Sequence, residues 1–186
     1  LLDGETRLDV DKSGAAQLDA VSLMARQLLP LMLGAPTPTP MAEEALRLLR
    51  AWDGRMGRNR PEPLIFTAWL RALGRALYGD ELGNELAEFR GLRPRFVASI
   101  LSRRLEWCDD VGTDQKETCP DRLGLALGKA LDDLGERYGD DISIWRWGDV
   151  HAARFRHAVF TGHVSPRYFA LAKRLFCAVE NYRRFI

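Results

Sequence analysis

The stretch PDRLGLALGKALDDLGERYG, residues 120–139, carries the clearest structural signal in the chain. Its large apolar residues recur at steps of four, four, three and four, which places them on one face of an α-helix. Pro120 suits the first turn of a helix, and Gly139 suits the position just past its end. The sequence therefore predicts an amphipathic helix whose apolar face is formed by Leu123, Leu127, Leu131, Leu134 and Tyr138.

A second strong helical pattern begins at Glu62 and covers PLIFTAWLRALGRALYG, residues 63–79. Arg71 and Arg75 fall on the side opposite the apolar residues, and Gly79 is predicted to cap the C-terminal end. This broad apolar stripe predicts a helix with one face in the protein core, formed by Ile65, Phe66, Trp69, Leu70, Leu73 and Leu77.

The N-terminal part of the chain predicts two further helices. AAQLDAVSLMARQLLPLML, residues 15–33, predicts one helix with Leu18, Val21, Leu28 and Leu29 near one face. Pro30 lacks a backbone donor and is expected to kink or end it. After the extended segment GAPTPTP, residues 34–40, the next helix opens at Pro40 and runs through Trp52, followed by the breaker-rich loop DGRMGRNRPEP, residues 53–63.

Weaker patterns predict three more helices. A short one runs from Asp80 to about Phe89, and another covers PRFVASILSRRLEW, residues 94–107. SPRYFALAKRLF, residues 165–176, is predicted as a last helix with Ser165 as its N-cap. No stretch alternates with period two for long, so the residues alone predict a mainly α protein.

Composition excludes several classes of partner. The chain has 186 residues, of which 46% are hydrophobic and 28% charged, with a formal net charge of +1. This near-neutral balance gives no global field to recruit nucleic acid or an anionic membrane. No apolar run approaches the roughly 20 residues of a membrane-spanning helix. We therefore expect a single helical region over residues 1–186 with no nucleic-acid or membrane partner. Because the chain opens in mid-pattern with LLDGETRLDV and no initiator Met, we also expect ends that are not native domain boundaries.

The stretch WRWGDVH, residues 145–151, is the most obvious place to look for chemistry. Asp149, His151 and His157 could form a metal site, or an aspartate and a histidine could form a general-base pair. The spacing matches no His-Glu-x-x-His motif, and no serine or cysteine lies in a recognisable nucleophile turn. We favour packing: the two tryptophans lie against the core, and Asp149 and the histidine bind backbone groups.

Two cysteines bracket a polar loop. Cys108 and Cys119 flank DDVGTDQKET, residues 109–118, while Cys177 lies alone in an apolar stretch. Free thiols are one reading, with Cys177 buried as a small hydrophobe. The other is a Cys108–Cys119 disulfide, worth roughly 2–3 kcal/mol through loop entropy. The residues alone leave both readings open.

The order of segments is more specific than any one motif. Nearly the whole chain resembles the penicillin acylases, N-terminal nucleophile hydrolases, because five segments occur in that family's order. They are AQLDAVSLMARQLLPLML, LLRAWDGRM, PEPLIFTAWLRALGRALYGDEL, WCDD…ETC and WRWGDVHAARFRHAVF. The resemblance implies the helical middle of the β chain of a larger αββα, α+β enzyme.

The resemblance also implies a reaction. In that family the first residue of the β chain is a serine, whose hydroxyl attacks an N-acyl amide. Its own α-amino group serves as base, and an asparagine helps to form the oxyanion hole. Here residue 1 is Leu1, Asn84 and Asn181 match no motif position, and the family's calcium ligands lie outside the chain. We therefore expect no catalytic, cofactor-binding or metal-binding residue in this chain.

Two further expectations follow from the resemblance. Family members with cysteines at this pair of positions are exported, which implies a Cys108–Cys119 disulfide and a periplasmic location. The last ten residues, CAVENYRRFI, depart from the family pattern, which implies a truncation or a frameshift.

The leading hypothesis is a fragment of a penicillin acylase-type hydrolase that is inactive alone and works with the remainder of the α and β chains. The alternative is a stand-alone, non-enzymatic helical interaction module derived from an acylase gene.

Overall fold

A computed structural model describes residues 9–88, 91 and 93–152 of the chain. The predicted helix at residues 165–176, together with Cys177 and His157, lies outside these residues. The helices are α1 (Val10–Gln17), α2 (Leu23–Met32), α3 (Pro40–Ala51), α4 (Glu62–Leu82), α5 (Pro94–Arg103), α6 (Cys119–Tyr138) and α7 (Trp147–Val150). Short 3-10 helices cover Gly83–Glu88, Leu105–Cys108 and Ile142–Ile144. In this part of the chain the fold is helical throughout, without a strand longer than one isolated bridge.

Helix α6 confirms the strongest prediction. Thr118 caps it, since its hydroxyl oxygen accepts from the amide of Asp121 while the Asp121 carboxylate accepts from the amide of Thr118. All four predicted leucines of its apolar face are at most 5% exposed. Tyr138 was wrongly placed on that face, because it is the last helical residue and is 36% exposed.

Helix α4 packs against α6 more extensively than any other pair of described helices. Its six predicted core residues are buried, and Arg71 and Arg75 are exposed as expected. The indole N–H of Trp69 donates to the backbone oxygen of Leu123 at 3.0 Å, so the largest buried side chain of α4 is also hydrogen-bonded to α6. These two helices form the centre of the core.

The predicted end of α4 at Gly79 is wrong. The helix continues to Leu82, and Gly83 caps it with φ 48°, a backbone conformation that favours glycine. A glycine inside a helix costs only about 1 kcal/mol, which tertiary packing easily outweighs. Asp80 therefore lies in the last turn of α4 rather than at the start of a new helix, and Gly83–Glu88 is a 3-10 helix.

The predicted single helix over residues 15–33 is also wrong, because polar side chains break it. The carboxylate of Asp19 accepts from the amide of Val21 at 3.0 Å, and the hydroxyl of Ser22 accepts from that of Ala25 at 3.1 Å. These bonds favour a turn over a continuous helix. Leu18 is consequently 82% exposed. Pro30 does not end α2, which continues for two residues to Met32.

Helix α3 begins at Pro40 as predicted, with Thr39 as its N-cap, and ends at Ala51, one residue before the predicted end. Helix α5 is shorter than predicted, since it ends at Arg103 and is followed by the 3-10 helix Leu105–Cys108. No helix of the described residues combines the length and apolar character needed to cross a membrane.

Candidate functional site

The WRWGDVH segment forms a packed corner. Trp145 is 1% exposed, and its indole N–H donates to the backbone oxygen of Gly139 at 2.8 Å. The rings of Trp147 and His151 are stacked, with centroids 4.5 Å apart. The prediction fails for Asp149, which lies in the first turn of the short α7. Its carboxylate is exposed and accepts no hydrogen bond from the described residues.

Backbone contacts hold this corner against the loop before α4. The amide of Trp147 donates to the carbonyl of Arg60 at 3.0 Å, and that of Gly148 donates to the carbonyl of Arg58 at 2.7 Å. A Cβ on Gly148 would lie 2.1 Å from Cγ of Arg58, so only glycine permits this approach. The Arg60 guanidinium in turn binds the carboxylate of Glu62, which is 2% exposed. These contacts attach the segment to the loop before α4, so its role in this structure is packing.

The candidate metal ligands do not converge in the described residues. Over residues 9–88, 91 and 93–152, no three histidine, cysteine, aspartate or glutamate side chains form a group that could hold a metal ion. His157, the third predicted candidate, lies outside these residues.

Cys108 and Cys119 are joined by a disulfide, with their Cα atoms 4.9 Å apart. Both cysteines are buried, so the bridge lies beneath the polar loop that it closes. We call residues 108–119 the disulfide loop. Glu117 organises its interior: its carboxylate accepts from the Asp110 amide and the Thr113 hydroxyl, both at 2.9 Å.

Arg122 clamps the disulfide loop to α4. Although it is charged, it is only 6% exposed. One terminal nitrogen donates to the Asp110 carboxylate at 3.0 Å, and Nε donates to the backbone oxygen of Ala76 at 2.9 Å. The amide of Val111 also donates to the Asp80 carboxylate at 2.9 Å. The loop is thus held by one covalent bond and by contacts from two helices.

Two neighbouring carboxyl groups, those of Asp80 and Glu81, lie at this clamp. Burial by itself would raise the pKa of Asp80, but the neighbouring Glu81 carboxyl and the hydrogen bond from the Val111 amide outweigh it and lower that pKa. Although the Glu81 side chain is exposed, partial desolvation, helped by the neighbouring Asp80 carboxyl, raises its pKa to about 7. Oδ1 of Asp80 is buried and has no hydrogen-bond partner among the described residues. Only a protonated Glu81 could supply a donor between the two carboxyl groups, since two carboxylates have none.

Near the disulfide loop lies an open cavity of about 600 Å³, which we call the aromatic cleft. Its walls come from the end of α4, the start of α5 and the 3-10 helix before the loop. Phe96 is in contact with Trp107 edge to face at 5.2 Å and with Tyr78 at 6.0 Å between ring centroids. The lining residues are Tyr78, Leu82, Arg93, Pro94, Arg95, Phe96 and Trp107.

Sequence reasoning missed both the cleft and the Arg122 clamp. Tyr78, Phe96 and Trp107 are spread over three elements and share no periodicity. The one local signal is the position of Trp107 directly before Cys108. For Arg122 the signal was a charged residue in the first turn of α6, directly before the buried Leu123.

These features define a class of protein: a helical, disulfide-bridged region in which a tryptophan-rich segment, residues 145–151, packs against the loop before α4. The profile of the penicillin amidase family matches residues 1–180. The chain belongs to that family and is a helical segment of a penicillin acylase-type protein, as the order of its segments indicated.

Curated relatives include acyl-homoserine lactone acylases of Pseudomonas species. The chain is 30% identical to the acyl-homoserine lactone acylase QuiP of Pseudomonas aeruginosa over 119 residues, which are 59% of the chain and 14% of the relative. It is 25% identical to QuiP of Pseudomonas putida over 190 residues, covering 87% of the chain and 23% of the relative. The chain therefore spans less than a quarter of the length of these relatives.

Proposed function

We propose that this chain is the helical supporting region of an enzyme that hydrolyses the amide bond of an N-acyl compound. The observation that carries the proposal is the family match over residues 1–180, together with the acylase names of the relatives. The nucleophilic serine and the oxyanion asparagine of such an enzyme match no position of this chain, so we propose that the chain is inactive alone.

Its role would be to brace the catalytic sheet and one wall of the substrate cleft. The contacts suit this role, because α4 and α6 share a continuous apolar interface and the indole of Trp69 fixes their register on Leu123. A close-packed protein interior deforms little, so it holds the elements packed against it in fixed positions. A support of this kind holds catalytic groups in the geometry that electrostatic stabilisation of a transition state requires.

The substrate class is an amide that joins an acyl group to a polar amine. Penicillins with an acyl side chain are one candidate, on the family name. The other is N-acyl-homoserine lactones, which the names of the relatives favour. The two differ in the amine that leaves after hydrolysis.

The proposed partners are the remaining parts of the acylase α and β chains, and the proposed location is the periplasm. The buried Cys108–Cys119 disulfide supports an oxidising compartment. Any calcium ion of the complete enzyme would be bound by residues outside this chain.

The test compares the 186-residue chain with the longer protein that contains it. Each is incubated with N-phenylacetyl-4-nitroanilide and with N-decanoyl-homoserine lactone, and release of nitroaniline or of homoserine lactone is measured. We expect hydrolysis by the longer protein only. Hydrolysis by the isolated chain would refute the supporting role, and inactivity of the longer protein on both amides would refute the assignment as an acylase.

A further inference from the structure

The aromatic cleft has the size and walls of a small-molecule site. Its volume of about 600 Å³ lies within the roughly 300–1,000 Å³ typical of ligand pockets. Three aromatic rings and the side chains of Leu82 and Pro94 form its surface. Phe96 is 36% exposed, so part of its ring faces the open side of the cleft.

The charge at the cleft has a single sign. Among the described residues, the charged ones that line the cleft are Arg93 and Arg95, both at the start of α5. Arg95 is exposed and makes no hydrogen bond or ion pair within the described residues. The adjacent carboxylate does not neutralise it, because Glu106, next to Trp107, is bound to Arg104 at 2.6 Å.

The walls are also fixed before any ligand arrives. Trp107 directly precedes Cys108 of the disulfide, and its amide donates to the backbone oxygen of Arg104 at 3.1 Å. Tyr78 is 6% exposed and belongs to the long core helix α4. A site whose rings are already held costs little ordering entropy on binding.

We propose that the aromatic cleft binds an apolar carboxylate, whose hydrocarbon part lies against Phe96 and Trp107 and whose carboxylate pairs with Arg95. The apolar part gains free energy by leaving water. The guanidinium matches a carboxylate in charge and in planar geometry, and can donate two parallel hydrogen bonds to it. A ligand with the same hydrocarbon tail and a cationic head group would instead meet the like charges of Arg93 and Arg95.

This inference goes beyond the proposed function, because it concerns binding to the chain itself and requires no hydrolysis. If decanoate fails to bind while the longer protein hydrolyses amides, only the cleft proposal fails. If decanoate binds while the longer protein is inactive, only the acylase proposal fails.

The experiment is isothermal titration of the 186-residue chain with sodium decanoate. Decyltrimethylammonium, which has the same tail and the opposite charge, serves as the matched ligand. We expect saturable binding of decanoate at one site, at least about tenfold tighter than the ammonium compound, from the charged hydrogen bond. Equal affinity for both ligands, or no saturable binding of decanoate, would overturn the proposal.

Two variants locate the site. Arg95→Ala is expected to weaken decanoate binding about tenfold, while Arg103→Ala, which removes an exposed arginine of the same helix outside the cleft, leaves it unchanged. Phe96→Ala is expected to weaken decanoate and the ammonium compound alike, because both lose the aromatic wall. The control Leu125→Ala removes a leucine that is 62% exposed and far along the chain on α6.

The exposed arginines keep the test independent of folding. Circular dichroism spectra of Arg95→Ala and Arg103→Ala are expected to match that of the unchanged chain. Equal affinities of these two variants for decanoate would mean that the ligand binds by general charge attraction, and would refute the site.

Discussion

The α4–α6 interface and the disulfide loop are held together by different means. The interface consists mainly of apolar side chains that repeat with the helix period, to which Trp69 adds a hydrogen bond to Leu123 and Arg122 one to Ala76. The loop consists mainly of polar residues and depends on a disulfide and on the Arg122 clamp. The first arrangement is distributed over many contacts, whereas the second depends on a few groups that each have a specific partner.

This difference predicts that the two regions respond to different changes of sequence and of solution conditions. Apolar burial changes little with pH or redox state, so the interface responds chiefly to changes of side-chain volume. The loop responds to reduction and to protonation, because its contacts are covalent or charged. Substitutions confined to one region can separate these two responses.

The largest effect is expected at the interface. Trp69→Ala removes a fully buried indole and its hydrogen bond to α6, which should lower the free energy of unfolding by about 3–5 kcal/mol. Urea denaturation followed by circular dichroism measures it. Leu125→Ala, an exposed leucine on α6, is the control and should change stability by less than about 0.5 kcal/mol. A loss below about 1 kcal/mol for Trp69→Ala would contradict a core centred on these helices.

The second-largest loss of stability is expected on removal of the disulfide. The double variant Cys108→Ala, Cys119→Ala opens a loop of sequence separation 11 and is expected to cost about 2–3 kcal/mol. Urea denaturation of the unchanged chain with and without reductant gives an independent measure, and the variant should be insensitive to reductant. Equal stability of the oxidised and reduced chain would show that the polar contacts alone hold the loop.

The Arg122 clamp should follow at about 2 kcal/mol. Arg122→Met keeps an unbranched side chain but removes the donor to Oδ2 of Asp110 and the side-chain donor to the Ala76 carbonyl. The matched control is Arg137→Met, because Arg137 is an exposed arginine of the same helix. Protection of the Val111 amide from hydrogen exchange should fall in the first variant and persist in the second. Equal protection in both would argue against the clamp.

The smallest effect concerns pH. Because the pKa of Glu81 is raised to about 7 in the folded chain, its proton stabilises the fold below the unfolded pKa of about 4.5, and this contribution is lost as pH rises through about 7. Glu81 is exposed enough that solvent screening keeps the effect below about 1 kcal/mol. Stability should therefore fall slightly between pH 5 and pH 8.

Glu81→Gln tests this assignment, since glutamine can donate a hydrogen bond to Asp80 at every pH. Its unfolding free energy should lose the decrease between pH 5 and pH 8, while the exposed Glu85→Gln should retain it. The lowered pKa of Asp80 instead makes the unfolding free energy rise with pH. That change falls below the pH range of this test, because the folded pKa of Asp80 is below the ordinary value of an aspartate. An unchanged slope in Glu81→Gln would assign the effect to another group.

The two regions also explain what the sequence could predict. Leu123, Leu127 and Leu131 follow the helix period, so the core face of α6 was readable from spacing alone. The disulfide was one of two readings until the family resemblance favoured it. The Arg122–Ala76 and Val111–Asp80 contacts join residues 46 and 31 positions apart, and no local pattern encodes such pairs.

The helix boundaries failed for a related reason. Gly79 and Gly83 are both suitable caps, and only packing decides that α4 passes the first and stops at the second. Likewise, the turn between α1 and α2 depends on hydrogen bonds that the side chains of Asp19 and Ser22 accept from backbone amides, and these compete with an otherwise acceptable helical pattern. The alternative helix boundaries differ too little in local helix propensity for the sequence to choose between them.

The disulfide has one more consequence, for the integrity of the chain after proteolysis. Residues 111–116 of the loop are all exposed, which makes them accessible to a protease. A cut between Asp114 and Gln115 would leave Cys108 on one fragment and Cys119 on the other, still joined through sulfur. The nicked protein would run as one species in a denaturing gel without reductant and as two species with it, so that a backbone break at this loop need not release either half.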